Sequence, residues 1–164
     1  MNIVTVGAGV GGLSASIALA RKGHSVTVYE SAPQLAEIGA GVQMSPNSAR
    51  LFFEWGLGPD LLAKAALPEG LFIHRWLDGQ LIAYTRIWPD FEERFGAPYF
   101  VIHRAHLHDI LHRHAVKAGV NIRLSSRAVE YDVEGGSVTL DSGEIVRADL
   151  IVAADGISRV CLHG

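Results

Sequence analysis

The sequence predicts an α/β fold, and three observations carry it. A short apolar, β-branched run over residues 3–6 leads directly into the glycine cluster Gly7-Ala8-Gly9-Val10-Gly11-Gly12. A helix-like stretch over 13–22 follows, with Leu13, Ile17 and Ala20 on one face and Gly23 where a C-capping glycine belongs. A second β-branched run, Ser25-Val26-Thr27-Val28-Tyr29-Glu30, then completes strand, glycine turn, helix, strand. Such a βαβ unit joins two parallel strands through a right-handed crossover.

The rest of the chain extends this layout. Residues 31–45 read as a loop punctuated by Pro33, Gly39 and Gly41, with Pro46 just beyond. Helices are expected over 47–55 and 60–66. Residues 71–77 and 81–87 read as strands of a hairpin turned by Asp78-Gly79, and 89–98 as irregular. A strand over 99–103 precedes a helix over 104–118, with Leu107, Leu111, His114 and Ala118 on one stripe and Gly119 at its end. After a strand over 120–124, the segments 128–133, 137–140 and 145–147 are joined by glycine-bearing turns, as in a β-meander. A last apolar strand, 150–154, runs into Asp155-Gly156.

Composition narrows the function. With 164 residues, 49% hydrophobic and 19% charged, the chain is that of one ordinary globular domain. A formal charge of -3 disfavours nucleic acid as partner. No basic segment precedes an apolar run at the N-terminus, and the apolar-rich stretch 13–20 is too short to span a bilayer, so a cytoplasmic protein with no membrane partner is expected. A lone cysteine, Cys161, forms no internal disulfide and reads as inert.

The glycine spacing has a physical reading. Gly7 permits the tight turn, Gly9 lets the backbone approach a pyrophosphate, and Gly12 lets helix and strand pack closely. The helix start, including Gly11, offers free N–H groups and partial positive charge. Glu30, 18 residues after Gly12, is placed to accept hydrogen bonds from both hydroxyls of an adenosine ribose and would repel a 2′-phosphate. This fingerprint does not separate NAD from FAD.

Five segments in order separate them by resemblance. They are 6–15 (Val6-Gly7-Ala8-Gly9-Val10-Gly11-Gly12-Leu13-Ser14-Ala15), Tyr29-Glu30, 39–43 with Ser45-Pro46-Asn47, 103–107 (His103-Arg104-Ala105-His106-Leu107), and 148–159 around Asp155-Gly156. Together they resemble the N-terminal part of the FAD-dependent aromatic hydroxylases, the salicylate hydroxylase-like flavoprotein monooxygenases. The resemblance implies a Rossmann-like FAD-binding domain over 1–164 with a β-meander and a partial second sheet, residues 68–100 being part of an incomplete substrate-binding sheet. It implies FAD as cofactor, NADH or NADPH as electron donor, and a small aromatic substrate to be hydroxylated. Gly41 and Val42 would bring backbone close to the flavin, with Gln43 as a polar contact and Arg104 on FAD oxygens. Asp155 and Gly156 would meet the cofactor beyond a strand's carboxyl end. The family's later half, with most of its substrate sheet and a Gly-Asp motif, has no counterpart here, so the chain reads as truncated and no catalytic base can be named.

Other readings stay open at this point. His103, His106, His108, His112 and His114 crowd the stretch 103–114, but the pair His108/His112 brackets Asp109-Ile110-Leu111 and lacks the H-E-x-x-H pattern, so a flank of solvated histidines is favoured over a metal site, with His114, on the apolar stripe, read as a core or interface residue. A nicotinamide-dependent dehydrogenase and a non-catalytic remnant or interaction module are the rival functions. A chain short of its second half should also expose apolar surface and self-associate.

Overall fold

A computed structural model describes residues 1–35 and 39–156. In chain order the elements are β1 (Asn2–Val6), α1 (Val10–Arg21), β2 (Ser25–Tyr29), β3 (Gly41–Met44), α2 (Pro46–Glu54) and α3 (Gly58–Leu62). A hairpin of β4 (Gly70–His74) and β5 (Leu81–Arg86) follows, then α4 (Asp90–Phe95), β6 (Phe100–His103) and α5 (Arg104–Lys117). The last part holds β7 (Asn121–Arg123), β8 (Ala128–Asp132), β9 (Ser137–Leu140), β10 (Ile145–Arg147) and β11 (Leu150–Ala153). The chain divides into two compact units, Met1–Glu37 with Leu111–Gly164, and Ile38–Ile110.

The first unit is built on a parallel sheet in the order β11-β1-β2-β7. Strand alternation sorts the residues of β1 between two covering layers. On one side Thr5 Oγ1 accepts a buried hydrogen bond of 3.0 Å from Ser16 Oγ of α1. On the other, Val4 and Val6 join Tyr29 of β2 in a core with Ala128, Val138 and Leu140 of the meander β10-β9-β8. The α/β fold with parallel sheet and β-meander is thus the one the sequence predicts. α1 stops as expected: Gly23, at φ +84°, donates to Ala20 O and His24 donates to Leu19 O, the paired bonds of a Schellman motif.

The second unit contains two small antiparallel ladders, β3-β6 and β4-β5. Its buried residues include Phe100, Ile102, Leu107 and Ile110, with Phe52, Leu57 and Leu61 from α2, α3 and the turn between them. The Asp78-Gly79 hairpin forms, although its strands stop at His74 and start at Leu81, because Arg75 N–H donates to Gln80 O and closes the turn early.

Four expectations are corrected. The loop over 31–45 holds β3, a four-residue strand whose partner β6 lies some sixty positions on, so no local period announces it. The irregular stretch 89–98 holds α4, only six residues long, with Asp90, Glu92 and Glu93 in its first turn and Gly96 at φ +71° behind it. The helix expected over 60–66 lies over Gly58–Leu62, with Pro59 in its first turn. On α5, His108 is 5% exposed, His112 and His114 are half-buried and His106 is exposed, while His103, at the end of β6, is exposed, so the cluster is not one solvated flank. Among the described residues no group of three His, Cys, Asp or Glu is arranged to hold a metal, and no helix is long and apolar enough to cross a membrane. Cys161 and the segment 157–159 lie outside the described residues.

The glycine turn separates into positions the fold itself needs and positions it does not. A Cβ at Gly12 would collide with Gly7 O and lie 3.4 Å from Ala154 Cβ, whereas one at Gly11 would meet nothing within 4 Å. Gly12→Ala is therefore expected to cost about 1–3 kcal/mol of stability. Gly11→Ala should leave stability unchanged or raise it by up to about 1 kcal/mol. Urea midpoints of the two variants check the contrast, and equal losses would show that the close approach at Gly12 is not limiting.

Candidate functional site

In the first unit the site forms where β1, β2 and β11 end together. Val6 and Ala154 are joined by a 2.8 Å bond from Ala154 N–H to Val6 O, and Gly7 N–H donates to Tyr29 O at the same distance. Gly7 turns the chain at φ +100°, a conformation glycine adopts without a steric penalty. Gly9 then caps α1 in extended backbone (φ -69°, ψ 179°), with no side chain bonded to the helix start and no acidic residue in the first turn. Gly9 could hold any residue conformationally, and a Cβ there would meet nothing within 4 Å. Nothing in the chain's own packing calls for glycine at this position. A ligand pressed against the backbone would, and an uncapped, partly positive helix start suits an anion.

Glu30 ties this turn to the next strand. Its Oε2 accepts a 2.7 Å hydrogen bond from Ala8 N–H, and its Oε1 accepts from Ala32 N–H at 2.8 Å and Ser31 Oγ at 3.0 Å. Burial pushes the carboxyl up, but the bonds from Ala32, Ala8 and Ser31 outweigh it and hold the group below its ordinary value. An ionised carboxylate has about four acceptor positions. Three are filled from within the chain, so a ribose finds about one open and reaches a second only by displacing the exposed Ser31 hydroxyl.

A cavity of about 290 Å³ lies beside this carboxylate, bounded by Gly7, Glu30, Ser31, Ser126, Arg127 and Asp155. Asp155, half-buried after β11, lies 3.4 Å from Tyr131 Oη, which donates to its Oδ2; Gly156 follows, exposed and at φ +72°. Ser126 and Arg127 were not legible as site residues. Glu30 N–H donates to Arg123 O and Ser126 N–H donates to Glu30 O, so the chain leaving β7 continues alongside Glu30. The available signal was β7 itself: a strand parallel to β2 delivers its following residues to the same sheet edge as Glu30.

The second unit gathers the other predicted positions. Gly41 pairs with His103, Val42 with Ile102 and Gln43 with Val101, and Arg104 N–H donates to Ala40 O at 3.1 Å. A Cβ at Gly39 would come within 2.8 Å of Arg104 Cβ, so glycine there lets the loop lie against the start of α5. Two motifs sixty residues apart are thereby one ladder, with Gly41, Gln43 and Arg104 exposed and Val42 half-buried.

A βαβ crevice with an uncapped helix start, a pinned acid and a cation at its rim defines a nucleotide-binding α/β protein. The chain belongs to the FAD binding domain family, whose pattern matches residues 1–162. It is 37% identical to 3-hydroxybenzoate 6-hydroxylase of Polaromonas naphthalenivorans (strain CJ2), over 96% of this chain and 40% of that protein. It is 36% identical to 3-amino-4-hydroxybenzoate 2-monooxygenase of Streptomyces cremeus, over 98% of this chain and 41% of that protein. Among solved structures, 2-methyl-3-hydroxypyridine-5-carboxylic acid oxygenase superposes with a TM-score of 0.84 at 32% identity, covering 97% of this chain and 40% of that one. CtdE in complex with FAD and a substrate gives 0.84 at 28%, covering 98% and 39%. The chain thus spans about 40% of the length of the curated relatives it matches. Two of these relatives are named as a hydroxylase and a monooxygenase and one solved structure as an oxygenase, while the pattern matched by this chain is that of an FAD binding domain.

Glu30 gives a pH prediction. Its folded-state value lies below its unfolded one, so its contribution to stability is fully present above pH 4.5 and is lost as pH falls through the lower folded value. Urea unfolding from pH 6 down to about pH 3 should show a steeper loss for the wild type than for Glu30→Gln. Superimposable acid limbs would mean that the three hydrogen bonds do not favour the ionised form.

Proposed function

We propose that this chain seats FAD and serves a monooxygenase that uses NADH or NADPH to hydroxylate a small aromatic substrate. The phosphates of the cofactor lie at Gly7, Gly9, Gly11 and Gly12, where the start of α1 offers backbone N–H groups. Glu30 takes one ribose hydroxyl, and Asp155 with Gly156 bounds the same crevice. From the second unit, Gly41 and Val42 contribute backbone, Gln43 a side-chain amide and Arg104 a charge-assisted contact to FAD oxygens. When bound, FAD supplies the redox and oxygen chemistry; these residues bind and orient it. The observation that supports this reading most is Gly9, a glycine that neither its backbone angles nor its neighbours require. The relatives' names, which give activities on hydroxybenzoates and a hydroxypyridine carboxylic acid, support an aromatic acid as the substrate class.

Gly9→Val tests the cradle. It is expected to abolish FAD binding, read by flavin absorbance and fluorescence, while costing at most about 2 kcal/mol of stability through the poorer helix N-cap. Glu30→Ala should weaken FAD by on the order of 1–3 kcal/mol. Unchanged affinity in both variants would discard the assignment.

Self-association is part of the same proposal. The β4-β5 hairpin exposes Leu71, Phe72, Ile73, Ile82 and Tyr84, and at its tip Trp76 is 100% and Leu77 86% exposed. Exposed apolar surface of this extent marks a contact face. The isolated chain should sediment as dimers or larger species, and Trp76→Ser with Leu77→Ser should shift it toward monomer. A clean wild-type monomer at high concentration would overturn this.

A further inference from the structure

The second unit carries a separate cavity of about 450 Å³ between the start of α2 and the end of α4. It is bounded by Pro46, Asn47, Arg50, Arg94 and Phe95, none of which belongs to the proposed flavin contacts. Its volume falls in the range of small-ligand sites. Three arginines elsewhere are held by carboxylates: Arg75 by Asp78 at 3.0 Å, Arg86 by Asp90 at 3.4 Å and Arg123 by Glu144 at 2.8 Å. Among the described residues Arg50 and Arg94 have no such partner; Arg94 lies over the Phe95 ring, 5.1 Å from its centroid. Two guanidinium groups sharing one cavity repel each other, and only an anion between them reverses the sign of that interaction. A guanidinium fork suits a carboxylate or phosphate in bidentate fashion, and the exposed Phe95 ring offers a flat apolar wall beside it.

We propose that this cavity binds an aromatic anion: a planar ring bearing a carboxylate or a phosphate, with the acid group on Arg50 and Arg94 and the ring on Phe95. Both an aryl carboxylate and an adenine nucleotide carry that chemistry, and Arg50, Arg94 and Phe95 are not among the residues proposed to hold FAD.

The test is backbone amide NMR of the full chain titrated with 3-hydroxybenzoate, AMP and inorganic phosphate separately. FAD affinity is measured on the same samples, so failure of the flavin reading is seen on its own. Saturable shifts at Asn47, Arg50 and Phe95 from 3-hydroxybenzoate or from AMP are expected, with half-saturation at or below about 1 mM. The probe that saturates identifies the source as aryl carboxylate or nucleotide. Arg50→Ala and Arg94→Ala should each weaken binding about tenfold or more while FAD affinity stays as in the wild type. The proposal falls if neither aromatic probe saturates, if inorganic phosphate binds as tightly as AMP while 3-hydroxybenzoate does not bind, or if both alanine variants retain wild-type affinity.

Discussion

The close approach of two backbones at the end of β1 is the constraint on which the site depends. Gly12 packs so tightly against Gly7 O that no side chain fits between them, and Gly7 itself passes under Ala154 at the end of β11. These contacts bring the start of α1 directly over the carboxyl ends of three parallel strands. Were α1 moved outward to clear even a methyl group, Ala8 N–H would lose its 2.7 Å contact with Glu30. The carboxylate would then be partly buried with one fewer donor, a costly arrangement for an ionised group. Steric closeness and charge accommodation are therefore one feature, and the strand ends, the helix start and the acid cannot be placed independently.

The same turn shows how a binding loop divides its glycines between fold and ligand. Gly7 and Gly12 answer to neighbouring backbone, and Gly7 also to a positive φ; Gly9 and Gly11 answer to neither. The spacing already reads Gly7 as the turn, Gly9 as the point of backbone approach and Gly12 as the close packing. What a Cβ would touch groups Gly11 with Gly9, on the side of the turn that the chain's own packing leaves bare.

Much of the first unit was legible because its signals are local. Residues 3–30 carry a period, a turn and a cap in sequence, and the meander is marked by glycine-bearing turns at 134–136 and 141–144. β3 was hidden because its partner β6 is remote and its glycines mimic a loop. α4 was hidden because six residues hold too little period to count. In the crevice Glu30 was readable by its spacing, whereas Ser126 and Arg127 reach it through the pairing of β7 with β2, which a linear reading does not supply. The histidines of α5 illustrate a further limit: one residue type on one helix ranges from nearly inaccessible His108 to exposed His106, since burial is decided by the surrounding elements.

The hydroxyl pair of Thr5 and Ser16 acts as a pin driven through hydrocarbon. Both residues are fully inaccessible, and the Ser16 hydroxyl donates to the Thr5 oxygen. Sliding the helix by one turn, about 5.4 Å, or rolling it about its axis, would strand two oxygens where no water reaches. The aim of the helix's electropositive tip is consequently set from inside the molecule, several residues behind the mouth it points toward. Repacking the interior around that pin would redirect the tip even with every residue at the opening left intact.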